Sequence, residues 1–288
     1  MTLFEKNIKK YRHEDGIYHF SESKNYEIAE EYYEKFLRNN QNISYDMLSP
    51  VGKHLSLKFE ELGVPKNGPV FEIGCGAGQG SRKVLASGYF AEYFFTDASK
   101  ELVLITKRSV DSYHEFSDEK VRYGVMLGED TSLLPDNSIS AFFLFATLHH
   151  FVDWQYHLSI LAHKLSKNGI IFCTDPCLEF AMMISLLFIS FEKRMSSKKN
   201  SLKPSDIKTM NAYVQATKFR GNPHIEDKSK QEDKHMFRAD AFYRFAQGNN
   251  LKLHLFPNST PGNFDVDGVP PKINFYTFIR NLLMNSQH

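Results

Sequence analysis

The chain has 288 residues, a formal net charge of +1, 24% charged residues, 42% hydrophobic residues and 14% aromatic residues. Those values fit a globular protein with a sizeable core, and they lack the basic excess of a protein that grips a phosphate backbone. No nucleic-acid partner is expected. The cysteines, Cys75, Cys173 and Cys177, are too few and odd in number for a disulfide framework, and no His or Cys spacing calls for a metal. The first residues are charged and lack the apolar core of a signal segment. The longest apolar run, Phe180 to Phe191, is too short to span a bilayer. A cytoplasmic protein without stable membrane insertion is the expectation.

From Asn25 to Leu62 apolar and aromatic residues recur at helical spacing, with a break near Asn39 to Ser44. Strand and helix patterns then alternate. Val70–Ile73 is a strand, Gly80–Ser87 a helix, Tyr93–Thr96 a strand, and Lys100 to about Tyr113 a helix. Strands follow at Val121–Met126 and Ser140–Phe145, a helix at Trp154–Leu165, and a strand at Ile170–Thr174 after the Asn168-Gly169 turn. Such alternation predicts an α/β fold with a doubly wound, mostly parallel sheet. Helices are predicted at Leu178–Met195, Lys203–Lys218 and Ala239–Gln247, with a polar loop at Gly221–Lys234 and a strand at Leu251–Phe256. Phe275–Leu283 fits either a strand or a helix. The pattern divides the chain into a helical cap (1–62), an α/β core (63–176), a helical insertion (177–238) and the rest of the core (239–288).

The chemical signal begins at Glu72-Ile73-Gly74-Cys75-Gly76-Ala77-Gly78, a strand end followed by glycines at alternate positions and a helix. Glycine lets a ligand lie against the backbone, and a helix N-terminus presents free N–H groups. A dinucleotide fingerprint would need a third glycine where Gln79 stands. Nineteen residues after Gly78, Asp97 closes an apolar strand. A carboxylate there suits a ribose diol and equally suits a helix cap. Further on come Gly128-Glu129-Asp130 with Pro135, and Ala146-Thr147-Leu148-His149-His150.

Together these stretches resemble the class I S-adenosylmethionine-dependent methyltransferases, in the subgroup of ubiquinone and small-molecule methyltransferases. The resemblance covers Val70 to Pro176, with a weaker continuation to Phe256. It implies S-adenosyl-L-methionine as cofactor. In that family the glycine loop cradles the amino-acid part of the cofactor, so Gly74, Gly76 and Gly78 are assigned to it. Glu72 is assigned to its ammonium and Asp97 to its ribose. Either Glu129 or Asp130 is assigned to its adenine, and Cys75, Ala98 and Ala146 belong to the same binding set. Ser140 departs from the family pattern, where an Asp is usual.

His150 and His149 are the catalytic candidates, read either as proton acceptors or as orienting and structural residues. The tyrosines Tyr18, Tyr26, Tyr32 and Tyr33 either close over the cofactor or pack a helix on the sheet. The apolar stretch from Phe180 to Phe191 has apolar residues nearly all round, so it is expected to be buried, as core, pocket wall or the interface of a homodimer. Between Glu192 and Arg238 there are twelve Lys/Arg against six Asp/Glu, read as a solvated face or as attraction for an anionic acceptor. The expected function is methyl transfer to an oxygen or nitrogen of a small-molecule acceptor. A protein or RNA methyltransferase, a nicotinamide oxidoreductase and a catalytically idle binding module are the alternatives.

Overall fold

The structure, a computed structural model, describes residues 11–21, 45–111, 120–195, 204–222, 234–256 and 279–286. A hairpin of β1 (Arg12–Glu14) and β2 (Ile17–His19) is followed by α1 (Tyr45–Glu61), β3 (Pro69–Ile73), α2 (Gln79–Ala86), β4 (Glu92–Asp97) and α3 (Lys100–Asp111). Next come β5 (Val121–Val125), β6 (Ile139–Phe145), α4 (Trp154–Lys164) and β7 (Leu165–Pro176). The remainder is α5 (Leu178–Met195), α6 (Pro204–Gly221), α7 (Ala239–Gly248), β8 (Leu251–Phe256) and β9 (Ile279–Ser286). Short 3-10 turns occupy Gly128–Leu133 and Leu148–His150.

The strands form one sheet in the order β1-β2-β5-β4-β3-β6-β7-β9-β8. From β2 to β7 neighbouring strands run parallel, whereas β9 lies antiparallel between β7 and β8. Parallel strands need both faces covered, and the side-chain period of two shows how this is done. Phe71, Phe94, Phe142, Leu144 and Ile171 point to one face, where they meet Leu158 and Leu161 of α4 and Phe242 and Phe245 of α7. Val70, Tyr93, Phe95, Phe143 and Phe172 point to the other, against Phe59 of α1, Val84 and Leu85 of α2, and Val103 of α3. Among the described residues, most aromatic side chains are taken up inside this double core.

After β7 the chain leaves the sheet at Cys177 and returns at Phe237. The two points are tied by Leu178 N to Phe237 O (2.8 Å) and Phe237 N to Pro176 O (2.8 Å). Between them α5 and α6 pack on each other, with Phe188 and Tyr213 edge to face and Leu178 against Gly221.

Three expectations are corrected, and one open alternative is resolved. Residues 12–19 form strands rather than part of a helical cap. Asp15 and Gly16, at φ 56° and 75°, make the two-residue Asp-Gly turn that favours a hairpin. The fifth predicted strand is longer, Leu165–Pro176, and carries the Asn168 turn within it at φ 61°. Of the segment predicted as helix or strand, the described part, from Ile279 on, is strand β9, paired along the open edge of β7. Finally, α5 is not buried all round. Leu178, Ala181 and Ile184 are buried, but Met182, Met183, Leu186 and Leu187 are 49–63% exposed, since α6 covers one side only. The helical pattern at Tyr26 to Phe36 and most of the predicted loop at 221–234 lie outside the described residues. Among the described residues no helix is long and apolar enough to cross a membrane. All three cysteines are free and buried.

Candidate active site

The parallel strands all end at one edge of the sheet, and the predicted residues gather there. β3 is buried along its length and stops at Ile73. The chain then bends through Gly74, Gly76 and Gly78, whose φ values are 72°, 54° and 83°. At Gly74 a Cβ would stand 2.6 Å from the side chain of Thr147, so the exit of β6 can approach only because the position is bare. At Gly76 a Cβ would meet nothing within 4 Å among the described residues, so they leave the space over it open. The bend is fastened by Cys75 N to Thr96 O (2.9 Å), Gly78 N to Cys75 O (2.9 Å) and Thr106 Oγ1 to Gly76 O (2.9 Å).

Asp97 ends β4 beside this bend. Its Oδ2 accepts from Gly76 N (3.0 Å) and its Oδ1 accepts from Ser99 N (3.0 Å). Burial pushes its carboxyl pKa up, while the backbone N–H groups of Ser99, Gly76 and Ala98 pull it down. One carboxylate thus holds both the bend and the start of α3, with Ala98 partly exposed between. Glu72 is 1% exposed and accepts from Ser81 Oγ of α2. Burial raises its pKa to about 8. A Cβ at Gly80 would collide with Glu72 and Phe145, so α2 also needs a bare residue there to sit this close. Cys75 is buried and its thiol is pushed up by burial.

The turn Gly128–Leu133 starts next to Asp97, since Met126 N donates to Asp97 O (2.9 Å). Asp130 Oδ2 accepts from Leu127 N (3.0 Å), so this carboxylate caps its own turn. Glu129 is on the same turn, and its side chain lies outside the described residues. Lys164 Nζ ties the turn to α4 through Ser132 O (2.9 Å) and Asp136 Oδ1 (2.7 Å).

Beyond β6, Ala146 is exposed and takes φ 52°, and its N–H donates to Thr174 O (2.7 Å). Thr147 is beside Gly74. His149 is buried and His150 exposed, with ring centroids 4.1 Å apart. His149 Nδ1 lies 2.7 Å from Asp175 Oδ1, and the same oxygen accepts from His149 N (3.1 Å). Asp175 is 3% exposed; burial pushes its carboxyl up, and the hydrogen bond and charge of His149 oppose that.

The structure therefore brings Asp97, the glycine bend, Ala146 and the two histidines to one edge. It shows Asp130 engaged in its own turn. Three contributors escaped the sequence reading: Ser81, Thr147 and Asp175. Asp175 carried a usable signal, being an acid that closes an apolar strand as Asp97 does.

Comparison with known proteins agrees with this geometry. The family profile described as a methyltransferase domain matches residues 71–173. No curated protein matches the chain. Among solved structures, the plantazolicin methyltransferase BamL, in complex with a triazolic desmethylPZN analog and SAH, is similar with a TM-score of 0.54 at 13% identity. The match covers 91% of this chain and 92% of that one. An S-adenosylmethionine-dependent methyltransferase from Clostridium acetobutylicum is similar at a TM-score of 0.50 and 11% identity, covering 89% of this chain and 99% of that one. The CurJ carbon methyltransferase matches at 0.51 and 13% identity over 84% of this chain, which spans 54% of that structure. The profile runs from β3 to β7, the strands that build the edge just described, so residues 71–173 match a methyltransferase domain, carried on a fold similar to that of S-adenosylmethionine-dependent methyltransferases.

Proposed function

We propose that the chain methylates an oxygen or nitrogen of a small-molecule acceptor, with the cofactor seated over Gly76 and beside Asp97. The observation that carries the seat is the open space at Gly76, whose N–H is held 3.0 Å from the Asp97 carboxylate. Each carboxylate oxygen of Asp97 takes one backbone N–H and keeps further lone pairs, which suits a ribose diol. Gly74 to Gly78, with Cys75, take the amino-acid part of the cofactor. Ala98, Ala146 and the Glu129–Asp130 turn complete its surroundings. Glu72 acts from beneath, joining the bend to α2 through Ser81, rather than by reaching the ligand. When bound, S-adenosylmethionine supplies an electrophilic methyl on a positively charged sulfur.

The protein's part is then to align the acceptor and exclude water. The acceptor side is built from the segment between Cys177 and Phe237 and from the residues before β3. Its closed ends support treating 177–238 as an insertion. A small-molecule acceptor is supported by the near-neutral charge of +1 and by the organic ligand in the similar BamL structure. The test has two stages. Calorimetry should show S-adenosylmethionine and its demethylated product binding, with no heat from nicotinamide dinucleotides. Labelled methyl transfer is then assayed against small hydroxyl and amine compounds, protein and RNA. Label appearing in protein or RNA alone would reject the small-molecule reading.

A further inference from the structure

We infer that Thr106 is a positioning residue for cofactor binding: from α3 it turns the Gly76–Ala77 peptide so that the Ala77 N–H is left for the carboxylate of the cofactor's amino-acid end. The inference rests on the cofactor seat proposed above and deepens it, because it separates the grip on the amino-acid end from the grip on the nucleoside.

Thr106 is an odd residue for its place. α3 buries Val103, Ile105, Thr106 and Val110, so one polar side chain stands in an apolar row. It is 0% exposed. A threonine inside a helix often satisfies its hydroxyl on the carbonyl four residues back in the same helix. The Thr106 hydroxyl leaves its helix instead and donates to Gly76 O at 2.9 Å. It also shares a hydrogen bond with the buried Cys75 thiol, which burial keeps protonated. A carbonyl only accepts, so the hydroxyl hydrogen goes to Gly76 and the thiol donates to the hydroxyl. α3 comes this near because Gly78 is bare: a Cβ there would lie 3.3 Å from Thr106 Oγ1 and 3.4 Å from its Cα.

Gly76 is thereby held from two elements. Its N–H donates to Asp97 Oδ2 at the end of β4 (3.0 Å), and its C=O accepts from Thr106 on α3. With the carbonyl pinned, the peptide unit that joins Gly76 to Ala77 has one orientation. In a trans peptide the C=O and the following N–H point in opposite directions, and no described peptide is cis. Pinning Gly76 O toward α3 therefore aims the Ala77 N–H away from α3. Ala77 is partly exposed, and its N–H has no acceptor among the described residues. A donor left bare beside an open glycine suits a carboxylate oxygen, and a charge-assisted hydrogen bond of this kind is among the stronger ones. Were the peptide turned over, Gly76 O would face that carboxylate and repel it. The Thr106 hydroxyl favours the first orientation before any ligand arrives, which is how a preformed site avoids the loss of affinity that ordering on binding brings.

The test uses two ligands that share a nucleoside and differ in the amino-acid end, S-adenosylhomocysteine and methylthioadenosine. Thr106→Val keeps the shape of the side chain and removes the hydroxyl. It should weaken S-adenosylhomocysteine about 3- to 10-fold in calorimetry and leave the Kd of methylthioadenosine unchanged. Thr106→Ser keeps the hydroxyl and should restore the Kd of S-adenosylhomocysteine. Hydrogen exchange read by NMR on the wild-type chain gives a second measurement, which decides if Thr106→Val fails to fold or if methylthioadenosine binds too weakly to titrate. The Ala77 N–H should exchange freely without ligand and become protected by S-adenosylhomocysteine. Thr106→Val that binds both ligands as the wild type does, or that weakens both equally, overturns the positioning role. An Ala77 N–H left unprotected by S-adenosylhomocysteine overturns it as well. A wild-type chain that binds neither ligand fails the cofactor seat itself, whereas normal wild-type binding with an indifferent Thr106→Val removes only the role of Thr106.

Discussion

Asp97 serves two backbone partners at once, so its removal has two effects. Asp97→Ala should weaken S-adenosylmethionine binding by about 1–3 kcal/mol, read by calorimetry, through loss of ribose contacts and loosening of the Gly76 bend. Glu72 gives a pH signature. Its folded pKa, about 8, lies above the ordinary carboxyl value of 4.5. The native state therefore holds a proton that the unfolded state has lost, and stability falls as pH rises from about 5 to about 8. The expected drop from this residue is on the order of 3 kcal/mol. Urea denaturation of the ligand-free protein should show it, and Glu72→Gln, which keeps an acceptor for Ser81, should flatten the slope. Asp97 and Asp175, also raised by burial, leave a residual slope of the same sign. The strand-end acid Asp97 was legible because glycines and a strand pattern preceded it at a telling distance. Asp175 bears a similar signature, but its meaning depends on His149, 26 positions earlier, and only the strand register brings them together.

The predicted strands and helices from β3 to β7 were legible because each has a covered face and a definite period. Where coverage is one-sided, pattern misleads. α5 reads as apolar all round, yet Leu178, Ala181 and Ile184 are buried while Met182, Met183, Leu186 and Leu187 stay exposed. Leu187→Lys, at a position 57% exposed, should change stability by no more than about 0.5 kcal/mol in urea titration. A loss above about 2 kcal/mol would mean that the stripe is covered in solution. The β1–β2 hairpin was missed although Asp15-Gly16 announces it, because three-residue strands give too short a pattern to weigh against helical neighbours.

Two cores on opposite faces of one sheet hold the molecule, and aromatic rings bridge strand to strand within each. Phe71 stacks on Phe94 with centroids 4.8 Å apart, and Phe142 lies 6.0 Å from Phe71. Phe142 is fully buried on β6, at one end of that row, and Phe142→Ala should cost about 3–5 kcal/mol by chemical denaturation. The doubly wound plan was visible in the sequence, but the order of the far strands was not, since nothing local says which strand β8 will join. That order has a consequence during synthesis. β8 is made before β9, yet its seat in the sheet is on β9. A growing chain that has reached only Phe256 therefore carries β7 with a bare rim and β8 with nowhere to attach. Until the ribosome delivers the segment that becomes β9, that rim is a ready template for another molecule's strand. A stall in this interval is the moment when the nascent protein most needs a chaperone.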